Sequence, residues 1–369
     1  METVITAKLL LHVSEDEFKL LQDVSDAYRD ACNYVSNLAF HQGEYNRINL
    51  QKMSYTYLRS ELGLKSQMAI SVTRTVAGKY SPEKRADLNK PVSFSISQCD
   101  FVANRDWAIN ISKGIVSLNT LDKRIKVPFS AKGYERYINE STRFGGAKLV
   151  ISKNKAYLYT SIKLDSPEFC FDDNKVVGID RGIINHAVTY DGEKTKFYSG
   201  TKLKETRAKY KAVRQSLQKR NTSSSRRRLK AIGKRENRYV NNMNHVLAKT
   251  LVAKAERGTT FVLEDLSGVR VATTKVKRKN RYISVSWPYY DFQEKLEYKA
   301  RLAGDSVIYV DPRYTSQICP ICHHIEKSAR DRSKRMYTCK HCGYRSNDDR
   351  IGAMNIYQRG VDKIKKVVG

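Results

Sequence analysis

Four cysteines near the end of the chain limit what it can fold into more than any other feature. They sit in SQICPICHHIEKSARDRSKRMYTCKHCGYRSNDDR (residues 316–350) as Cys319-x2-Cys322 and Cys339-x2-Cys342, with 16 residues between the pairs. That is the two-knuckle spacing of a zinc ribbon. Four thiolates in a tetrahedron leave no open coordination position, so the Zn²⁺ expected there is structural. His323, His324 and His341 lie close by, but the ligand set is complete without them. The remaining cysteines, Cys32, Cys99 and Cys170, read as scattered buried thiols. An odd total, and an N-terminus without a charged n-region or a long apolar run, argue against a secreted disulfide scaffold. No stretch reaches the apolar length of a membrane span, so a cytoplasmic protein is expected, nucleoid-associated in a prokaryotic cell.

Charge supplies the second constraint. The chain carries 68 Lys and Arg against 38 Asp and Glu, a net charge of +30. An excess of that size on a folded protein implies a polyanionic partner. Nucleic acid is favoured over a lipid surface because the basic residues cluster and no lipid-anchoring signal accompanies them. Between Thr201 and Val240 there are 15 Lys and Arg against two Glu, with Arg226, Arg227 and Arg228 in a row at the middle. A second basic run holds Lys275, Lys277, Arg278, Lys279 and Arg281. Such runs are often only solvated faces; their density here favours contact with phosphates.

Periodicity divides the chain into blocks. Residues 3–12 alternate as a strand, and Ser14 with Glu17 forms a capping box that opens a helix. Leu21, Val24, Tyr28, Cys32, Val35 and Leu38 then recur at helical spacing. A helical unit is expected over 14–85. From 91 the stretches PVSFSIS, AINISKGIVSL, KRIKVPF and AKLVISKNKAYLYTSIKL read as strands, and the first strand needs their sheet to join. A β-domain over 1–13 and 86–172, interrupted by the helices, is therefore expected. Residues 173–312 and 346–369 read as a mixed α/β block, with a basic helical segment at 201–258 and the cysteine knot, 313–345, inserted.

Asp180 ends the apolar strand VVGID, Glu264 ends FVLE, and Asp349 precedes a helix, IGAMNI, of small residues. Acids at the ends of neighbouring strands and at a helix start can converge, and converged carboxylates need cations. Two Mg²⁺ in such a site perform phosphoryl-transfer chemistry. Spacing alone leaves a plainer reading open, because strands often end in an acid where the sheet meets water. It also leaves open whether the acids after the knot are a solvated tail of it.

Taken in order, GIDRGIINHAV, VLEDLSG, the LEYKA helix, DPRYTSQICPIC, CKHCG and DDRIGAMNI resemble the C-terminal half of the TnpB family. These are transposon-encoded RNA-guided DNA endonucleases related to compact type V CRISPR effectors. The resemblance covers roughly residues 174–358 closely and the first 170 in layout only. It implies a multidomain α+β protein: an RNase H-like (RuvC) nuclease core with an inserted zinc ribbon, and a β-barrel-like wedge domain interrupted by a helical recognition lobe. It implies Asp180, Glu264 and Asp349 as catalytic ligands of Mg²⁺ or Mn²⁺, with Asp349 preferred to Asp348 by counting back from Asn355-Ile356. The implied partners are a guide RNA and a double-stranded DNA target beside a short recognised motif. Lys65, Gln67 and Arg74 are candidate readers of that motif. The basic helices suit the RNA, and the 275–281 run suits a single strand entering the cleft. The sequence departs from the family pattern at Ile351 and Gly352, where Asn and Ala are usual, and at His323, where glycine usually follows the first knuckle. A guided repressor without cleavage, a DNA-joining transposase and a miniature type V effector are the alternatives. Retention of all three acids weighs against the first, and the lack of a His-x-His motif against the second.

Overall fold

A computed structural model describes residues 2–82, 88–96, 98–266, 289–331 and 333–368 of the chain, in two compact units, 2–165 and 166–369. Among the described residues no helix is long and apolar enough to cross a membrane.

The first unit is built on β1 (Glu2–Leu11), whose alternation sends Ala7, Leu9 and Leu11 inward. β1 is followed by helices α1 (Glu15–Gln42), α2 (Arg47–Ser60) and α3 (Ser66–Ala77). The expected capping box is present. The Glu17 N–H donates to Ser14 Oγ at 3.2 Å, and the Ser14 N–H donates to Glu17 Oε2 at 2.9 Å. Strands β2 (Gln98–Phe101), β3 (Trp107–Asn110), β4 (Ile115–Asn119), β5 (Arg124–Ser130), β6 (Arg143–Ser152) and β7 (Lys155–Asp165) follow. β1 pairs antiparallel with β7 from Glu2↔Asp165 to Leu11↔Ala156, so it finds the sheet that a lone strand requires. The sheet order is β2-β6-β7-β1-β5-β4-β3. Its two edge strands are joined by a short turn in which Ala103 and Trp107 bridge, leaving the sheet nearly closed. Helices and sheet share one core: Val24, Tyr28 and Cys32 of α1 belong to the same buried cluster as Leu9, Cys99 and Leu158.

PVSFSIS does not form the expected strand. The backbone of 92–94 is instead satisfied by side chains. Asn33 Nδ2 donates to the Phe94 carbonyl at 3.0 Å, and its Oδ1 accepts from the Phe94 N–H at 2.8 Å. The Ser36 hydroxyl donates to the Val92 carbonyl, and the Val92 N–H donates to the Tyr80 hydroxyl. Side-chain amides and hydroxyls here replace a ladder, a competition that periodicity does not register. Cys32 and Cys99 are buried as expected, but Cys170 is exposed, because it lies in the irregular stretch after β7 rather than on an element.

In the second unit β8 (Val176–Asp180), β9 (Asn185–Tyr190) and β10 (Thr195–Ser199) form an antiparallel meander. Two basic helices follow, α4 (Thr201–Arg220) and α5 (Ser223–Lys254). Asn221 breaks them apart at φ +48°, and Thr222 caps the second. Glu236 of α5 is buried between Arg207 Nε (3.1 Å) and Arg214 Nη1 (2.5 Å) of α4. This pairing sets the register of the hairpin and leaves Arg226, Arg227 and Arg228 exposed. Then come β11 (Thr260–Glu264), α6 (Tyr289–Ala303), β12 (Ser306–Val310), the cysteine knot, and α7 (Asp348–Val368). The sheet order is β10-β9-β8-β11-β12, with β8, β11 and β12 parallel.

This unit has three layers. Ile179, Phe261 and Leu263 face α5 and α6, whereas Val176 and Val262 face Ile356 and Ile364 of α7. Helix α7 lies unusually close to β8. A Cβ on Gly178 would stand 2.5 Å from the Tyr357 nitrogen and 2.8 Å from its Cα, so only glycine fits. Gly178→Ala is expected to lower stability by about 1–3 kcal/mol, read as a drop in the denaturation midpoint.

Candidate active site and cysteine knot

The layer arrangement decides where the acids point. Leu263 pairs with Ile179, so Glu264 and Asp180 stand side by side at the carboxyl ends of two parallel strands. Two-residue periodicity puts Asp180 on the face of Gly178, and Glu264 on the face of Val262. That is the face α7 covers, and Asp348 and Asp349 occupy its first turn rather than the loop before it. Asp180 is half-buried, and its carboxyl is pushed up to about 8 by desolvation and then by the charges of Glu264 and Asp349. Burial also raises Glu264, while a hydrogen bond from Thr315 and the Arg181 guanidinium oppose the shift. Of the two aspartates, Asp349 bears on Asp180. Asp348 is buried and held by Arg330 Nε at 2.8 Å.

The residues around the acids are donors and cations. Asn185 Nδ2 donates to Asp349 Oδ2 at 2.7 Å, and Arg335 Nη2 lies 3.0 Å from the same oxygen. Arg330 Nη2 is 3.6 Å from Asp349 Oδ1. Arg181, also buried, donates from Nη2 to the Glu264 carbonyl at 2.6 Å. The Thr315 hydroxyl donates to Glu264 Oε1 at 2.5 Å. Sequence reasoning named none of these five. Asn185 and Thr315 lie inside GIINHAV and DPRYTSQ, the motifs that carry the resemblance, and that was the available signal.

In the knot, Cys319 Sγ is 3.6 Å from Cys342 Sγ, and Cys322 Sγ is 3.6 Å from Cys339 Sγ. Among the described residues these four form the one group of three or more His, Cys, Asp or Glu whose ligand atoms all lie within 4.8 Å. A tetrahedron with metal–sulfur bonds of about 2.3 Å has edges of about 3.8 Å, so the cysteines suit a tetrahedral thiolate-bound metal. His323 adopts φ +57° and Gly343, its counterpart after the second knuckle, +76°. The turn thus favours glycine, and histidine occupies it at some conformational cost. β13 (Arg330–Asp331), β14 (Met336–Thr338) and β15 (Arg345–Asn347) complete the knot as a small antiparallel sheet. Ile351 of α7 is packed into its core with Tyr337 and Ala329.

The acids are set wider than the cysteines, yet their chemistry fits a divalent cation. Glu264 and Asp349 oppose the ionisation of Asp180, and the nearby guanidiniums are already engaged, Arg330 and Arg335 with Asp348 and Asp349 and Arg181 with the Glu264 carbonyl. Of the remaining candidates, Lys65 Nζ donates to the Asp122 carbonyl at 2.6 Å, and Gln67 Oε1 accepts from Arg105 Nη1 at 2.7 Å. Arg74 is exposed in the last turn of α3. Lys275, Lys277, Arg278, Lys279 and Arg281 lie outside the described residues.

The pH dependence of the metal-free protein follows from Asp180. Its folded-state pKa lies above the unfolded value, so the folded chain binds the extra proton between about pH 4 and pH 8. The contribution of Asp180 to stability therefore falls as pH rises through that window. Asp180→Asn should raise the stability of the metal-free protein at pH 8 by about 2 kcal/mol or more and have less effect at pH 4, measured by urea denaturation.

Comparisons with known proteins meet this geometry at several points. The family model OrfB_IS605, described as "Probable transposase", matches residues 161–278, and the Cas12f1-like TNB domain matches residues 289–356. The chain is 30% identical over 228 residues to the CRISPR-associated endodeoxyribonuclease Cas12f1 of Sulfoacidibacillus thermotolerans, covering 58% of this chain and 52% of that protein. It is 26% identical over 250 residues to a TnpB-like protein of Methanocaldococcus jannaschii, covering 65% and 88%. The chain spans about half the length of the Cas12f1 proteins it matches. In fold it is similar to the protein of a cryo-EM Cas12f1-sgRNA-target DNA complex, with a TM-score of 0.64 at 14% identity over 97% of this chain and 98% of that one. That likeness concerns the fold alone, an α+β arrangement. The two domain models thus match successive segments lying almost wholly in the second unit, and relatives named TnpB-like and Cas12f1 resemble more than half of the chain.

Proposed function

We propose that the chain is an RNA-guided DNA endonuclease. It would bind a transposon-derived guide RNA, recognise a short motif beside its target and break both strands at one RuvC-like site. The observation that carries this reading is the convergence of Asp180, Glu264 and Asp349 on the α7 face at the carboxyl ends of β8 and β11, with Asp180 resisting ionisation. Relatives named as endodeoxyribonucleases support it. A guided repressor on the same scaffold would be expected to lack one or more of these acids.

In this reading residues 173–312 and 346–369 are the RNase H-like nuclease, and 313–345 the zinc ribbon on Cys319, Cys322, Cys339 and Cys342. Residues 1–13 and 86–172 are the wedge domain, and 14–85 the recognition lobe. The mixed order β10-β9-β8-β11-β12, flanked by helices on both faces, supports the nuclease assignment. Asp180, Glu264 and Asp349 would hold Mg²⁺ or Mn²⁺, which activates a water and stabilises the leaving oxygen of a phosphodiester. The chain's own contribution is placement. Arg181 fixes the end of β11 through the Glu264 carbonyl, and Asn185 holds Asp349 through one oxygen. Arg330 and Arg335 keep positive charge beside the acids, where a phosphate of the strand would lie. The exposed face of the α4–α5 hairpin, with Arg226, Arg227 and Arg228, suits the sugar-phosphate backbone of the RNA.

The test starts from protein co-expressed with its flanking DNA. The co-purifying RNA is sequenced, its 3′ end is reprogrammed, and a plasmid library with randomised flanks is challenged with Mg²⁺ or with EDTA. Linearisation that needs Mg²⁺, the guide and one flank is expected, with Asp180→Ala slowing it by about 10³-fold or more. Guide-dependent binding without cleavage would overturn the nuclease, and absence of a discrete RNA would overturn guidance. Replacing Arg226, Arg227 and Arg228 together by Ala should weaken RNA binding. It should also flatten the slope of log affinity against log salt by about 2–3, measured by filter binding.

A further inference from the structure

Glu264 is held by an unusual neighbour. Thr315 belongs to the strap 311–318 that leads from β12 into Cys319, and it is 4% exposed. Its single hydroxyl proton has two acceptors in reach, Glu264 Oε1 at 2.5 Å and the Pro312 carbonyl at 3.1 Å. The shorter, charge-assisted bond goes to the carboxylate. The strap is fixed in turn by α7. Asn355 Nδ2 donates to the carbonyls of Thr315 (2.7 Å) and Ile318 (2.8 Å), and Arg359 donates to those of Asp311 and Arg313. Thr315 therefore has no freedom to follow Glu264; the carboxylate must follow Thr315.

We propose that Thr315 is the positioning residue of Glu264. By occupying Oε1 it turns the other oxygen toward the space shared with Asp180 and Asp349, where a divalent cation would bind. The inference rests on the metal-dependent reading of the three acids. A hydroxyl is required, and its methyl group is not. Outer-shell donors of this kind typically change metal affinity by about 10–100-fold when removed. Thr315 lies four residues before Cys319, so the strap also ties the orientation of Glu264 to the folded knot.

The test uses the full chain with its cysteine knot loaded with zinc, without RNA or DNA. Mn²⁺ binding is followed by electron paramagnetic resonance for the unaltered chain, Thr315→Val and Thr315→Ser, and zinc content is measured in each. Val matches Thr in shape and lacks the hydroxyl; Ser keeps the hydroxyl and lacks the methyl. The expected result is Mn²⁺ affinity about 10-fold or more weaker in Thr315→Val, with Thr315→Ser within about twofold of the unaltered chain and zinc content the same in all three. Equal Mn²⁺ affinity in Thr315→Val and the unaltered chain would overturn the proposal. So would an equal loss in both variants, since Ser keeps the donor. The readout does not depend on cleavage. Weakened Mn²⁺ binding in Thr315→Val, rescued by Ser, in a protein that never cuts guided DNA would sustain the role of Thr315 and refute the nuclease. If the unaltered chain binds no Mn²⁺, the inference and the metal-dependent reading of the acids fail together.

Discussion

The second unit of this protein depends on the crowding of Asp180, Glu264 and Asp349 where the ends of β8 and β11 meet the first turn of α7. Asp180 ends a largely buried strand, so water screens its charge poorly, and two further carboxylates oppose its ionisation. A fold that brings such groups together must surround them with compensation, and each neighbouring element supplies some. β9 contributes the Asn185 amide, the residue after β8 contributes Arg181, the strap contributes the Thr315 hydroxyl, and the knot contributes Arg330 and Arg335. The first turn of α7 adds the N-terminal end of a helix dipole beneath Asp348 and Asp349. These groups hold and orient the acids, but the guanidiniums hydrogen-bond or pair with Asp348, Asp349 and the Glu264 carbonyl rather than with the Asp180 carboxylate. Desolvation first and the neighbouring carboxylates second raise the pKa of Asp180, and in the proposed function a divalent cation would offset both.

Asp180 and Glu264 stand out in the sequence for a physical reason, although spacing alone leaves them readable as ordinary strand-end acids and only the resemblance joins Asp349 to them. Strands buried on both faces read as apolar runs, and an acid at the end of such a run stands out. Their partners were not legible, because those contacts are set by tertiary packing. Asn185 meets Asp349 across 164 residues, and Thr315 meets Glu264 across 51. The same blindness explains PVSFSIS, whose alternation suggests a strand but whose backbone is claimed by Asn33, Ser36 and Tyr80 from far along the chain. The capping box at Ser14, by contrast, is a contact over three residues, and it appears as expected. Range of interaction, more than strength, separates what could be read from what could not.

The knot's position becomes intelligible through α7. One face of that helix packs Ile351 into the knot's core beside Tyr337, and the next residue, Gly352, lies against Asp180. A Cβ at Gly352 would come within 2.9 Å of the Asp180 carboxylate carbon and Oδ2. The two residues of α7 that depart from the family pattern thus do separate things: Ile351 strengthens the hold on the knot, and Gly352 leaves the acid its room. Gly178 acts from the opposite side, letting the same helix descend onto β8. With glycine on both surfaces, the first turns of α7 approach the strand ends closely enough for Asp349 to reach Asp180.

This closeness carries a thermodynamic consequence for the metal at the cysteines. Folding of a small four-thiolate knot is driven largely by metal binding, because its own apolar core is too small to stabilise it alone. Here that core is Ala329, Tyr337, Cys319, Cys339 and the borrowed Ile351. If the thiolate-bound metal were lost, Arg330, Arg335 and the strap bearing Thr315 would lose the framework that orders them. Asp349 would then be deprived of its guanidiniums and Glu264 of its hydroxyl donor. A metal with no open coordination position, and so no chemistry of its own, would still govern how firmly the acids are oriented. The knot inserted between the last strand and the last helix is therefore best understood as part of the acid site's support, which is why the aspartates follow it so closely in the chain.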